Sequence, residues 1–133
     1  MAIVVAIDHS ERTPRIVDFA VEEAKLRGEK LLFVHSLYGG DKTSEKEIEA
    51  GERLLDYVVS LAESRGVEAE KHLLIRGKEP EEDIVDFADE VEASMIVIGV
   101  RKRRPAGKLL FGSVAQQVIL HAKQPVVCIK LIF

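Results

Sequence analysis

The chain has 133 residues, 47% hydrophobic and 32% charged, with a net charge of −4, the size and composition of one globular domain with enough apolar material for a core. No apolar run approaches the roughly 20 residues that cross a bilayer, and the start MAIVVAIDHS lacks the basic segment of a signal peptide. The acidic balance speaks against a general nucleic-acid binder, and a single cysteine, Cys128, excludes an internal disulfide and suits a reducing cytoplasm.

Ala2 to Ile7 is a short, continuous apolar run rich in β-branched residues. Such a run fits a strand buried on both faces of a parallel sheet. Thr13 before Pro14 has the pattern of an N-cap followed by proline at the first helical position. Val17, Ala20, Val21 and Ala24 follow at helical spacing, and Gly28 is placed to end that helix. Leu31 to Ser36 reads as the second strand. Ser44 with Glu47 has the spacing of a capping box. It precedes a helix whose inner face is Ile48, Gly51, Leu55, Val58 and Ala62, ended by Gly66.

Glu70 to Ile75, with Glu70, Lys71 and His72 at its start, reads as an edge strand. Pro80 starts the next helix, and the acidic run Glu79 to Asp83 reads as charge favoured at a helix N-terminus. Its inner face is Ile84, Phe87, Ala88 and Val91. Met95 to Ile98 is again wholly apolar. A helix over Ser113 to Ala122 is expected next, with Val114, Val118 and Ala122 inward, broken before Pro125. Val126 to Phe133 is the last strand.

Strands alternating with helices predict crossover units and a parallel sheet in one domain over residues 1–133. The apolar first and fourth strands belong in its middle. The last strand is too apolar for a bare sheet edge. Its expected cover is a second copy of the chain, in a symmetric homodimer.

In open α/β sheets, ligands sit beyond the carboxyl ends of the strands, where the strand order reverses. The first strand ends in Asp8, His9 and Ser10; the fourth ends in Gly99 and the segment VRKRRPAGKLLFGS. That segment holds Arg101, Lys102, Arg103, Arg104 and Lys108 within eight positions, in a chain whose remainder carries 14 basic against 23 acidic residues. Gly107 and Gly112 suggest unusual backbone conformations and close approach of a ligand. Gly112-Ser113 opens a helix, and the free amides of a first helical turn form an anion site. Basic side chains add to the local potential. Together these features suit a phosphate chain. The loop is not a Walker sequence: no Ser or Thr follows Lys108, and Lys102 stands where its first glycine would be. It also lacks the dinucleotide fingerprint.

Other polar residues have plainer readings. Asp8 could cap a helix instead of meeting a ligand. His35 reads as a hydrogen-bonded structural histidine. His9, His72 and His121 are scattered without metal-ligand spacing, and Cys128 reads as a small apolar residue. No nucleophile with a base is visible, so no catalytic residue is assigned.

Gly99, two residues, a fourth position, nine residues and then Gly112-Ser113 resemble the nucleotide-binding signature of the universal stress protein family, G-x2-G-x9-G-[S/T]. The resemblance spans the chain: AIDHS at the start, Val34-His35, the IVIGVR strand, GSVAQQVI, and PVVCIK near the end. It implies an open, doubly wound α/β fold with a five-stranded parallel sheet in the order 3-2-1-4-5. Helices cover both faces, as in adenine-nucleotide α-hydrolase-like proteins, and the last strand dimerises. It further implies a stress-response regulatory or sensor protein binding ATP or another adenine nucleotide. By the resemblance, Ala6 and Val34 border the adenine, and Asp8 approaches ribose or a magnesium ion on the phosphates. Gly99, Gly112, Ser113 and Val114 hold the ribose and phosphates, and Arg101 and Lys102 of the basic loop are counted with them as binding residues.

The departure is Lys102, where the signature has its second glycine. It favours a second reading, a nucleotide-free dimer whose basic loop docks an anionic or protein partner. A hydrolase of the related group would carry a Gly- and Ser-rich loop after the first strand, and DHSERT has no glycine. Nucleic-acid binding lacks a stacking platform, since the chain has no Trp, two Tyr and five Phe.

Overall fold

A computed structural model describes residues 1–100 and 112–130. These form strands β1 (Ala2–Ala6), β2 (Lys30–Leu37), β3 (Ala69–Ile75), β4 (Met95–Val100) and β5 (Val126–Lys130). Between them run helices α1 (Thr13–Arg27), α2 (Glu45–Ser64), α3 (Pro80–Glu90) and α4 (Ser113–His121). The strands form one sheet in the order β3-β2-β1-β4-β5, every pair parallel. Leu131 to Phe133, the end of the expected last strand, lie outside the described residues.

The strand faces alternate, so the sheet divides two cores. Ile3, Val5, Leu31, Phe33, Met95 and Val97 pack under α1 and α2. Val4, Leu32, Val34, Ile96 and Ile98 pack under α3 and α4. Because both faces are covered, β1 and β4 contain almost no polar residue, which is why they read as continuous apolar runs. The edge strand β3 is polar over Glu70, Lys71 and His72 and apolar over Leu73, Leu74 and Ile75. On it, Glu70 accepts from Lys30 at 2.7 Å, and Lys71 bonds Glu52 and Asp56 at 2.9 and 2.7 Å.

Local signals held where they were self-contained. Ser44 and Glu47 form both halves of the capping box, and Gly28 ends α1 in the left-handed region at φ +66°. Thr13 departs from expectation. It is the first helical residue, after Arg12 at the N-cap, and its hydroxyl donates 2.9 Å to the Asp8 carbonyl. The tertiary turn uses the threonine to fasten the β1–α1 loop. In α4 the inward positions are Ala115 and Val118, with Val114 and Ala122 half-buried. Val114 and Ala115 both line a crevice at the top of the sheet.

Candidate functional site

The order β2-β1-β4 places the strand-order reversal between β1 and β4, and a crevice of about 380 Å³ opens there at the carboxyl ends of the strands. Ala6, Val34 and Ile98 form its apolar floor, with Pro80 and Ile84 of α3 alongside. Asp8, Arg12 and Gly99 lie at one side, and Gly112, Ser113 and Val114 at the start of α4. All seven expected site residues among those described therefore line one cavity: Ala6, Asp8, Val34, Gly99, Gly112, Ser113 and Val114. Arg101, Lys102 and the rest of the basic loop, Gly107 included, lie outside the described residues.

Gly112 is the N-cap of α4, without a side-chain cap. The first amides of the helix thus lack intrahelical acceptors and carry the positive end of its dipole. Its backbone, φ −64° and ψ 157°, is open to any residue, so the expected conformational need for glycine does not hold here. What remains is its place: a Cβ at Gly112 would meet nothing within 4 Å among the described residues, and a larger side chain would stand at the crevice wall it lines. Gly99 has a different reason. A Cβ there would stand 2.8 Å from Arg12 Nε and 2.9 Å from Ile16 Cδ1. The glycine makes room for Arg12.

Arg12 was not singled out from the sequence. It is 8% exposed, its backbone N–H donates to Ser10 Oγ at 3.3 Å, and its guanidinium donates to Asp8 Oδ2 at 3.0 Å. Asp8 is the exposed member of this pair, its side chain 54% accessible. It is a salt-bridged carboxylate at the crevice rather than a helix cap.

The second residue missed is Asp83. Read as helix N-terminal charge, it is in fact fully buried. Ser36, which lines the crevice, donates to its Oδ2 at 2.7 Å, and Arg76 Nε to its Oδ1 at 2.6 Å. Arg76 also donates to both oxygens of Glu90 at 2.8 and 2.9 Å. Glu90, and then Asp83, raise the Arg76 pKa above its ordinary value. This network ties β2, β3 and α3 together beneath the site. A signal existed: Asp83 lies four residues before Phe87, on the apolar stripe of α3.

His35 Nδ1 is 2.8 Å from the Ile7 carbonyl. A carbonyl only accepts, so Nδ1 carries the proton, and the ring fastens the ends of β1 and β2 as a structural histidine. Cys128 is half-buried, and desolvation raises its thiol pKa. Among the described residues, no group of three His, Cys, Asp or Glu could hold a metal ion. Arg12 holds Asp8 Oδ2, while Oδ1 has no partner among the described residues. No helix among the described residues is long and apolar enough to cross a membrane.

The sequence model of the universal stress protein family matches residues 1–130. A universal stress protein of Mycolicibacterium smegmatis is 35% identical over 114 residues, covering 86% of this chain and 85% of that protein. A solved universal stress protein from Archaeoglobus fulgidus is 56% identical with a TM-score of 0.92, covering 98% of each chain. The universal stress protein from Archaeoglobus fulgidus in complex with dAMP is 52% identical with a TM-score of 0.87, again covering 98% of each. With the family pattern running through nearly its whole length, and the matching fold beneath it, this chain belongs to the universal stress protein family.

Proposed function

We propose that the crevice binds an adenine nucleotide, ATP or one with fewer phosphates, and that the protein is a regulatory or sensor module in a stress response. The observation that carries this is the uncapped start of α4 opening onto an apolar floor. A helix N-terminus supplies donors and dipole for phosphate, and Ala6, Val34 and Ile98 supply a surface for a flat base. The dAMP held by the 52% identical Archaeoglobus relative supports an adenine ligand. The single-domain, cytoplasmic setting belongs to this proposal and agrees with the free Cys128 thiol. So does a homodimer through Val126 to Phe133. β5 is the last strand of the sheet, and Ile119 and Leu120 on the neighbouring α4 are exposed, an apolar surface suited to a partner copy.

Lys102 favours the second reading, a nucleotide-free dimer docking an anionic or protein partner through its basic loop. Native mass spectrometry with added ATP or AMP separates the two. The expected result is a dimer carrying nucleotide, with Gly112→Val leaving the dimer folded and weakening nucleotide affinity about tenfold or more. An empty dimer at millimolar nucleotide would reject the first reading in favour of the second; a monomer would reject the interface.

A further inference from the structure

The crevice contains an arginine that the family signature does not require. Arg12 is nine-tenths buried and lies between Asp8 and Gly99. Its Nε has no hydrogen-bond partner among the described residues although it is fully buried. The sole acceptor its guanidinium has among them is one oxygen of Asp8. An arginine has five N–H donors in a rigid fork suited to carboxylate and phosphate. Three independent features hold this one in place. Arg12 is the N-cap of α1, its amide is bonded by Ser10, and Gly99 lacks the Cβ that would displace it.

The electrostatic consequence concerns Asp8. A bare carboxylate at the mouth of a phosphate site repels the ligand's negative charge. A divalent cation bridging carboxylate and phosphate is one remedy. Here Arg12 already neutralises the carboxylate through Oδ2 and leaves Oδ1, without a partner among the described residues, to accept from a sugar hydroxyl. We propose that Arg12 is the built-in counter-cation of the crevice. It holds Asp8 for the sugar, presents its remaining donors to the phosphate, and lets the nucleotide bind without a divalent metal. This rests on nucleotide binding at the same crevice.

The test is calorimetric titration of ATP into the full chain, once with excess magnesium and once with excess EDTA, for wild type, Arg12→Gln and Arg12→Lys. Wild-type affinity is expected to agree within about twofold between the buffers, because a charge-assisted contact to Arg12 replaces the metal. Arg12→Gln is expected to weaken binding in EDTA by about 10- to 100-fold. Magnesium should recover part of that loss, since Asp8 is then free. Arg12→Lys keeps the charge and should lose less. A merely structural arginine would not create this metal dependence. Wild-type affinity falling tenfold or more on chelation would overturn the proposal, as would Arg12→Gln binding ATP as wild type does in EDTA. Should Arg12→Gln fail to fold, the wild-type comparison decides alone. If wild type binds no ATP in either buffer, the nucleotide reading itself fails, and this proposal with it.

Discussion

Two arginine–aspartate pairs sit within the same fold and are built in opposite ways. In Asp83–Arg76 the acid is the buried partner, with no exposed side-chain surface, and Arg76 is 29% exposed. Both carboxylate oxygens accept bonds, and Arg76 spends further donors on Glu90. In Asp8–Arg12 the cation is the buried partner at 10%, and the acid stands 54% exposed in the crevice. One bond joins them, and Arg12 Nε is left without an acceptor among the described residues. A saturated pair has no capacity left for a ligand. An unsaturated one has donors and a carboxylate oxygen in reserve. The difference separates a saturated structural tie from a pair with donors to spare, the property the proposed binding role requires, although residue types and charges are the same.

Removing one partner from each pair should give the widest contrast. Asp83→Ala leaves Ser36 and Arg76 without their buried acceptor and should cost about 3–5 kcal/mol in denaturant unfolding. Arg12→Gln should cost only about 1 kcal/mol, because Asp8 is already half in water and retains its solvation. Equal losses would erase the distinction. Gly99→Ala tests the space around Arg12. Its methyl would overlap Arg12 and Ile16, so a loss of about 1–3 kcal/mol is expected. Combining it with Arg12→Ala should restore part of that loss, and strict additivity would show that Gly99 does not serve Arg12.

A surface pair supplies the low end of the series. Lys30, and secondarily His72, hold Glu70 below its ordinary pKa. Its folded value is therefore lower than its unfolded one, so its stabilisation is present above the usual carboxylate range and lost as pH falls through it. Glu70→Gln should slightly flatten the acid limb of the stability–pH curve and leave neutral stability almost unchanged. A large loss at neutral pH would make this exposed pair resemble the buried ones.

Much of the fold was legible because its signals are local or periodic. The apolar runs of β1 and β4, the Ser44–Glu47 box, the Gly28 stop and the polar start of β3 all act within a few residues. That the candidate site residues share one crevice was legible for the same reason: Asp8, Gly99 and Gly112-Ser113 close or open elements, and the strand-order rule brings those ends together. The register of α4 was less so, since Val114 and Ala115 are adjacent small apolar residues that both line the crevice, and only packing on the sheet makes Ala115 the more buried.

By itself, then, the amino-acid sequence determined an alternating α/β chain, its central and edge strands, and the cluster of site residues at the strand ends. Tertiary structure decided which charges became buried and why the glycines are there. Ser36 and Asp83 meet across 47 positions of chain, and Arg12 meets Gly99 only because α1 lies over β4. An acid on a helix's first turn has the same local pattern whether it faces water or a buried arginine. Burial is set by the element packed against it, and packing brings together residues whose spacing in the chain carries no periodic signal.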